Sequence, residues 1–248
     1  MPNIKVIKII FDTILKTHEI PAFRGAIINV VGREHVIFHN HLGDKQYHYA
    51  YPLVQYKTQG RNAGIVCIGD GVDEIHHFFT KNEGMIRLGN QQRSLQVEHV
   101  KLNKFQVEVS ETSTHYQIKD WLALNDKNYQ RFEQLELLQE KLVFLEKILI
   151  GNILSFAKGV GWTVDQPIQA NITGLPESSW VRHKGIKLKA MDLTFRSNVS
   201  LPEDIGLGKG ASTGFGTLQK IKIKIYLYEQ VFIWGQYTGH PEFYFSDE

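Results

Sequence analysis

Residues 206–229 read GLGKGASTGFGTLQKIKIKIYLYE, and the interpretation of the whole chain starts from this stretch. Glycine occupies five of the first eleven positions, with Lys209 among them. Aliphatic residues from Ile221 onward then alternate with cationic and aromatic ones: Lys220, Lys222, Lys224, Tyr226 and Tyr228. Because successive side chains of a strand point to opposite faces, the alternation predicts a strand with an aliphatic core face. An ordinary half-buried strand whose lysines protect a sheet edge from aggregation is the plain alternative.

The glycines do not form a nucleotide-binding motif. The phosphate loop of nucleotide hydrolases needs Gly-Lys-Ser/Thr, but Gly210 follows Lys209. Gly206, Gly208 and Ala211 fit a loose dinucleotide fingerprint, yet a strand follows them where that motif requires a helix. Backbone without side chains lets phosphates approach peptide N–H groups, and a long basic loop beside a cationic, aromatic strand suits an extended polyanion such as RNA.

Composition bounds the class of protein. The 248 residues are 42% hydrophobic and 22% charged, as expected of a soluble globular protein with a sizeable core. The net charge is only +2, but residues 182–224 hold nine Lys/Arg against three Asp/Glu, a local excess of six positive charges. No stretch approaches the roughly 20 uncharged residues of a membrane span, and no signal peptide is recognisable. A single cysteine, Cys67, excludes an intrachain disulfide and indicates a cytoplasmic location.

The order of predicted elements indicates an α+β protein with two ferredoxin-like (RRM-like) βαββαβ units in tandem, the second degenerate. In the first half, strands are predicted at 4–11, 51–58, 63–69 and 96–109. Helices are predicted from Pro21 to Gly32 and over residues 72–82. This gives an N-terminal domain at 1–112 and a C-terminal domain at 113–248.

The second half opens with a strand-like run at 115–124. Apolar residues then recur at steps of three and four over residues 129–156, which predicts an amphipathic helix that breaks near Gly151. A coiled coil is the rival interpretation of the same spacing, although the pattern is short for one. Strand-rich sequence follows up to the glycines.

With these features the chain resembles the CRISPR-associated endoribonuclease that cuts precursor CRISPR RNA, CRISPR-associated protein six of the RAMP superfamily. The resemblance rests on a pattern of Gly-x-Gly, a few polar or basic residues and Gly-Phe-Gly before the last strand. PAFRGAI (21–27) and YPLVQYK (51–57) also resemble the N-terminal half of the family. The residues expected to bind RNA are Gly206, Gly208, Lys209, Gly210, Gly214, Phe215, Gly216, Lys220, Lys222 and Lys224.

The resemblance implies a reaction and its catalysts. The family cleaves RNA without metal by attack of a ribose 2′-hydroxyl on the adjacent phosphate, which leaves a 2′,3′-cyclic phosphate and a 5′-hydroxyl. Its base is commonly a histidine that follows the first helix, and histidine has a pKa suited to that task. Four histidines follow the first predicted helix here: His35, His39, His41 and His48. His41 is the favoured catalyst and His39 the second. Tyr47 and Tyr49 are candidate supports and Lys45 a candidate charge partner.

Alternatives remain at this point. His39, His41 and His48 could together chelate zinc, but no cysteine pattern accompanies them, so neither a metal nor a cofactor is expected. His76 and His77 lie among apolar residues of the second predicted helix and are interpreted as structural.

A non-catalytic RNA-binding RAMP subunit of a CRISPR effector complex is the alternative function. The expected partner is CRISPR repeat RNA. Other CRISPR-associated subunits and a second copy of the chain are further candidates, and no membrane is involved.

Overall fold

The structure, a computed structural model, describes residues 2–39, 41–42, 46–47, 51–174 and 176–221, with the backbone alone at 41–42 and 46–47. These residues form two domains in tandem, each built on an antiparallel sheet.

The first domain alternates strands and short helices. Its elements, in chain order, are β1 (Asn3–Ile14), α1 (Ile20–Val31), β2 (His41–Leu42), β3 (Gln46–Tyr47), β4 (Val54–Gln59), β5 (Asn62–Ile68), α2 (Asp70–Glu74), α3 (His76–Lys81), β6 (Met85–Leu88), β7 (Gln91–Ser94) and β8 (Val97–Gln106).

The main sheet of this domain has the order β4-β5-β1-β8, with every neighbouring pair antiparallel. The first and third strands of the βαββαβ unit, β1 and β5, are the central neighbours, which is the ferredoxin-like arrangement. The β2–β3 and β6–β7 pairs form two separate two-stranded sheets. The sequence analysis did not anticipate the β6–β7 hairpin.

Side chains of strand β1 contribute to both hydrophobic cores of the described structure. Its residues Ile7, Ile9 and Phe11 pack under α1 and α3 in the core of the first domain. Ile4 and Val6 point to the opposite face, where they join a second core shared with the C-terminal domain. Because alternate side chains of one strand face opposite layers, β1 is buried on both sides. The first sheet therefore lies between its own helices and the second domain.

The second domain continues after a short connection, since β8 ends at Gln106 and the next strand begins at Val109. The division at residue 112 stays a prediction. The elements are β9 (Val109–Trp121), α4 (Asp126–Gln134), α5 (Leu138–Gly159), β10 (Ala170–Ile172), β11 (Glu177–His183), β12 (Ile186–Val199) and β13 (Thr217–Lys220).

The second sheet has the order β10-β12-β9-β13, and β11 also pairs with β12. Strands β9, β12 and β13 follow the same antiparallel scheme as the first unit. Between β12 and β13 the described chain forms an irregular glycine-rich segment with one 3₁₀ turn, at the place where a complete unit has its second helix. The prediction of two ferredoxin-like units with a degenerate second one is confirmed.

The predicted long helix is interrupted at a different place from the expected one. Helix α4 ends at Gln134, α5 begins at Leu138, and α5 continues through Gly151 without a break. Leu137 is extended and its N–H donates to Glu140 Oε2 at 3.4 Å, which marks a new helix start. A glycine inside a helix costs only about 1 kcal/mol relative to alanine. The burial of Leu149 in the shared core offsets that cost.

Two further predictions differ in detail. Residues 72–82, expected as one helix, lie in the short helices α2 and α3, which meet at Ile75. At the end of β13, Leu218 is fully buried whereas Ile221 is 38% exposed. The described chain thus places Ile221 outside the core face expected of it. The rest of the alternating segment, including Lys222 and Lys224, lies outside the described residues.

Candidate functional site

The glycine-rich segment of residues 206–216 is anchored at both ends by the second sheet. Isolated bridges pair Gly206 with Thr217 and Lys209 with Leu122. Between them a 3₁₀ turn over Ala211–Thr213 is flanked by Gly210 and Gly214, whose φ angles of 76° and 90° are left-handed. L-residues with side chains rarely adopt such angles, so glycine is needed at these two positions to close the turn.

The space around the glycines is filled by protein atoms. A Cβ added at Gly208 would lie 2.8 Å from Asn152 Oδ1 and 2.9 Å from Trp121 Nε1. At Gly214 it would lie 2.9 Å from Ile20 Cδ1 of the first domain, and at Gly216 it would overlap the carbonyl of Leu207. The glycines therefore permit close packing within the chain. Phosphate binding by the same segment stays a prediction.

The segment is joined to the first domain by buried hydrogen bonds. Gly206 N–H donates to Gln55 Oε1 at 2.7 Å, and the Gly206 carbonyl accepts from the Tyr51 hydroxyl at 2.9 Å. Gln55 Nε2 donates to the same tyrosine oxygen at 2.9 Å, which closes a ring of three residues. Burial raises the pKa of Tyr51 well above its usual range, so its hydroxyl stays neutral. The start of the segment is thereby fixed against β4.

A second set of buried contacts centres on Asp204. Its carboxylate forms an ion pair with Lys8 of β1 and accepts a hydrogen bond from Gln219 of β13. Its carbonyl accepts from Lys57 Nζ, which also donates to Gln55 Oε1 at 3.3 Å. Lys57 is 2% exposed, and burial lowers its pKa to about 7. Asp204 itself has φ of +64°, a strained angle for a residue with a side chain. Both sheets are thus tied to one aspartate at the entrance of the segment.

The candidate catalytic histidines follow α1 in a segment held by one buried ring and by bonds to backbone carbonyls. Phe38 anchors it in the core, and its carbonyl accepts from the Tyr56 hydroxyl at 3.2 Å. His39 is half-buried, its Nε2 lies 2.8 Å from the Arg33 carbonyl, and its own carbonyl accepts from Arg24 Nη2 at 2.7 Å.

His41 lies opposite Tyr47 in the β2–β3 pair. This register brings the backbones of the favoured catalyst and a candidate support together. Side chains at these two positions, and the candidates Lys45, His48 and Tyr49, lie outside the described residues. The assignment of His41, His39, Tyr47, Tyr49 and Lys45 as catalytic residues stays a prediction.

Helix α1 and strand β4 connect the histidine segment with the glycine-rich segment. Ile20, at the start of α1, packs next to Gly214, and Arg24 one turn later holds the His39 carbonyl. On β4, the backbone of Tyr56 borders Gly214 while its hydroxyl reaches the Phe38 carbonyl. Two regions far apart in sequence thus meet on the same two elements.

Sequence reasoning missed the role of Arg24. Burial lowers the pKa of this guanidinium, and its Nε has no hydrogen-bond partner among the described residues. The signal was available, because Arg24 is the only charged residue in the sequence IPAFRGAIINVV of α1. A charge inside such a helix needs a specific partner, which here is the histidine segment.

Sequence reasoning also missed the β11–β12 hairpin beside the glycine-rich segment. His183 at its tip packs edge-on against Phe215 at 5.2 Å, and burial, with nearby Lys184 and Lys209, lowers the His183 pKa. Trp180 is 54% exposed, with Lys187 Nζ 5.1 Å from its ring centre. An exposed indole beside a cation is the kind of surface on which unpaired bases stack.

The expected lysine track is described only in part. Lys209 is exposed, and the exposed Lys220 lies with Nζ 5.8 Å from the ring centre of Phe105. The helices in the described part of the chain include none long and apolar enough to cross a membrane.

Two tandem ferredoxin-like domains, with a glycine-rich segment before the last described strand, define an RRM-like α+β protein of the kind seen in Cas6b. The Cas6b N-terminal domain family matches residues 2–106, and the Cas6b C-terminal domain family matches residues 108–221. The chain therefore belongs to the Cas6b family.

Two solved structures and one sequence relative are similar to this chain. A crystal structure of Cas6b has a TM-score of 0.80 at 25% identity, covering 89% of this chain and 100% of that one. A crystal structure of the CRISPR RNA processing endoribonuclease Cas6b has a TM-score of 0.68 at 22% identity, with the same coverage, and supports the fold. An uncharacterized protein of Methanocaldococcus jannaschii is 36% identical over 115 residues, which are 46% of this chain and 77% of the relative.

Proposed function

We propose that this protein is a cytoplasmic, metal-independent endoribonuclease that cleaves precursor CRISPR RNA within its repeats. Membership of the Cas6b family across both domains carries the proposal. The arrangement around α1 and β4 supports it, since the segment of the candidate histidines and the candidate RNA-binding segment meet there. We keep the two domains at residues 1–112 and 113–248.

In the proposed reaction, the ribose 2′-oxygen attacks the adjacent phosphorus and the 5′-oxygen of the next nucleotide leaves. One histidine accepts the 2′ proton and a second group donates a proton to the leaving oxygen, so that a 2′,3′-cyclic phosphate and a 5′-hydroxyl result. We assign the first task to His41 and place His39 second. Tyr47, opposite His41 in the β2–β3 pair, would orient it. Tyr49 would support the same group, and Lys45 would supply charge.

Charge on the phosphorane needs cations or N–H donors. Among the described cations, Arg24 donates to the His39 carbonyl. Its role in the proposal is to hold that segment in place.

RNA would reach the histidines over the surface formed by the exposed Lys209 and Lys220, the half-buried Phe215 and the β11–β12 hairpin. Lys222 and Lys224 would extend this cationic track. The glycine-rich segment would contribute to RNA binding because its glycines, at 206, 208, 210, 214 and 216, set its backbone conformation. Its exposed N–H groups would donate hydrogen bonds to phosphates.

The salt dependence of RNA affinity measures the contribution of the lysines. Each phosphate interaction that a substitution removes should lower the log–log slope of affinity against salt by about 0.7 for a single strand. Replacing Lys220, Lys222 and Lys224 with alanine, followed by filter binding over a salt series, provides this measurement.

The decisive test uses the repeat RNA of the CRISPR array in the same genome. Cleavage should proceed in EDTA and leave a 2′,3′-cyclic phosphate, identified by mass spectrometry. A single 2′-deoxy substitution just upstream of the cut should abolish cleavage without preventing binding. A strict requirement for a divalent metal, or normal cutting of the deoxy substrate, would indicate attack by water. Tight binding of the RNA without cleavage would favour a non-catalytic RAMP subunit.

A further inference from the structure

Three metal-ligating side chains outside the proposed active site converge on one side of the first domain. His35 precedes the 3₁₀ turn Val36–Phe38, Glu74 is the last residue of α2, and His77 is the second residue of α3. One ligand atom from each lies within 4.8 Å of the other two. All three side chains are partly exposed, so an ion from solvent can reach them.

The spacing of these atoms is close to that of a metal's coordination shell. Glu74 Oε2 lies 3.5 Å from His77 Nε2 and 3.9 Å from His35 Nδ1. Zinc bonds of about 2.0–2.1 Å in a tetrahedral arrangement place neighbouring ligand atoms about 3.3 Å apart. The two distances therefore exceed the ideal by about 0.2 and 0.6 Å. The imidazole rings, with centres 3.8 Å apart and planes tilted by 35°, would have to open slightly around an ion.

The contact between Glu74 and His77, three residues apart on neighbouring helical turns, is ordinary for a protein surface and is an ion pair only when the histidine is protonated. What distinguishes this cluster is His35, which comes from a different segment and presents a second imidazole nitrogen to the same carboxylate oxygen. Two imidazoles and one carboxylate are the ligand set of several zinc sites that keep a fourth position for water.

We propose that His35, Glu74 and His77 bind a divalent transition metal, with zinc the best fit. No local pattern in the sequence predicts this site, because His35 lies far from the α2–α3 pair along the chain and His77 was interpreted as structural. The site is separate from the chemistry of RNA cleavage. It would fasten the segment that leads from α1 to His39 onto α2 and α3, and so act on the position of the candidate catalytic histidines.

Neighbouring residues already connect the segments that the metal would join. Phe38, three residues after His35, is buried in the first-domain core together with Ile75 and Phe78 of the α2–α3 region. Lys81 of α3 donates to the Val31 carbonyl at 2.5 Å and lies 3.5 Å from Glu34 Oε1. A metal at His35 would add a third connection between the same two segments, at a point between the two existing ones.

The test is zinc binding by the full chain after removal of metals with EDTA and buffer exchange. Isothermal titration with zinc chloride should show one site per chain. Outer-shell partners of metal sites already contribute about 10–100-fold in affinity, so removing a ligand should cost about 100-fold or more. We expect this weakening for His35→Ala, His77→Ala and Glu74→Gln.

The matched control for these variants is His76→Ala. His76 neighbours His77, but its Nδ1 lies 2.6 Å from the Asp73 carbonyl and it is outside the ligand set. The zinc affinity of His76→Ala should equal that of the wild type.

Melting temperature gives an independent measurement. Zinc should raise it for the wild type and for His76→Ala, and leave it unchanged for the three ligand variants. Glu74→Gln alters only a partly exposed carboxylate, so this variant should fold. If a histidine variant does not fold, the zinc affinity of Glu74→Gln is the measurement that tests the site. Absence of zinc binding by the wild type, or unchanged affinity in Glu74→Gln, would overturn the proposal. RNA cleavage in EDTA is measured separately, so either result leaves the proposed endoribonuclease activity to its own test.

Discussion

The glycine-rich segment and the histidine segment are held in opposite ways. Residues 204–206 are buried and hydrogen-bonded to side chains from both sheets, and the glycines that follow pack directly against Trp121, Ile20 and the Leu207 carbonyl. The segment around His39, by contrast, is partly exposed and is tied down by Phe38 and by bonds to backbone carbonyls. This difference indicates that the glycine-rich segment joins the domains, and that it supports a less constrained segment where we place the chemistry.

The largest effect on activity is expected at the histidine segment. His41→Ala should lower single-turnover cleavage of the repeat RNA by about 10²-fold or more, because a general base would be lost. RNA affinity and melting temperature should stay close to the wild type. His99→Ala, at an exposed position of β8, is the control and should cleave normally. Wild-type rates for both His41→Ala and His39→Ala would show that the site lies elsewhere.

Substitutions in the glycine-rich segment should lower the free energy of unfolding. Gly216 has φ of 63°, and a Cβ there would overlap the Leu207 carbonyl. A left-handed angle costs a residue with a side chain about 1–2 kcal/mol, and overpacking adds about 1–3 kcal/mol. Gly216→Ala should therefore lower the free energy of unfolding by about 2–5 kcal/mol, measured in urea.

Gly60 provides the matched control for this substitution. Its φ of 61° is nearly the same, but nothing lies within 4 Å of the added Cβ. Gly60→Ala should cost only about 1 kcal/mol, the contribution of the angle. Equal destabilisation by the two substitutions would mean that close packing at Gly216 has no energetic weight. Because Gly208 and Gly214 are also tightly packed, valine there is expected to disturb folding and not RNA binding alone.

The buried contacts at Asp204 predict a pH dependence. The pKa of Lys57 is about 7 in the folded protein against 10.5 as the usual value. Between these values the unfolded chain binds the extra proton, so stability rises with pH and is lost as pH falls toward 7. From pH 7 to about pH 9 the free energy of unfolding should rise by about 2 kcal/mol. The rise should stop near this pH because burial raises the pKa of the Cys67 thiol. At higher pH the unfolded chain loses the thiol proton more readily, which lowers the free energy of unfolding.

Lys57→Met is the variant that checks the source of this slope. It keeps an unbranched side chain, one heavy atom shorter, and removes the titrating group, so the rise above neutral pH should disappear in urea titrations. Lys8, which is paired with the Asp204 carboxylate, would remain. A wild-type slope retained in Lys57→Met would assign the pH dependence to other groups.

The smallest effect is expected on the RNA-binding surface next to the glycine-rich segment. Stacking of a base on an aromatic ring contributes about 1–3 kcal/mol, and half-exposed Trp180 should give a value near the lower end. Trp180→Ala should therefore weaken RNA affinity about fivefold, whereas Trp180→Phe retains most of it. Filter binding at fixed salt is the measurement. Equal affinity of Trp180→Ala and the wild type would remove the β11–β12 hairpin from the binding surface.

The sequence by itself determined the βαββαβ order, the position of α1 between Pro21 and Gly32, and the resemblance carried by the glycine pattern. These are local signals: hydrophobic period, helix caps and glycine spacing each act within a few residues. It misplaced the break of the long helix at Gly151, because burial of Leu149 and its neighbours in a shared core overrides the weak preference of one glycine.

Only the tertiary structure decided which residues meet. Lys57, Asp204 and Gly206 belong to one buried network although 147 residues separate Lys57 from Asp204, and each looks ordinary in its own segment. Arg24 reaches the His39 carbonyl because α1 packs beside the segment that contains His39. His35 lies near Glu74 and His77 because the segment after α1 packs against α2 and α3. Contacts of this kind depend on how two sheets and their helices pack, which no local pattern encodes. The glycines therefore predicted the family, while their packing between the domains emerged only from the fold.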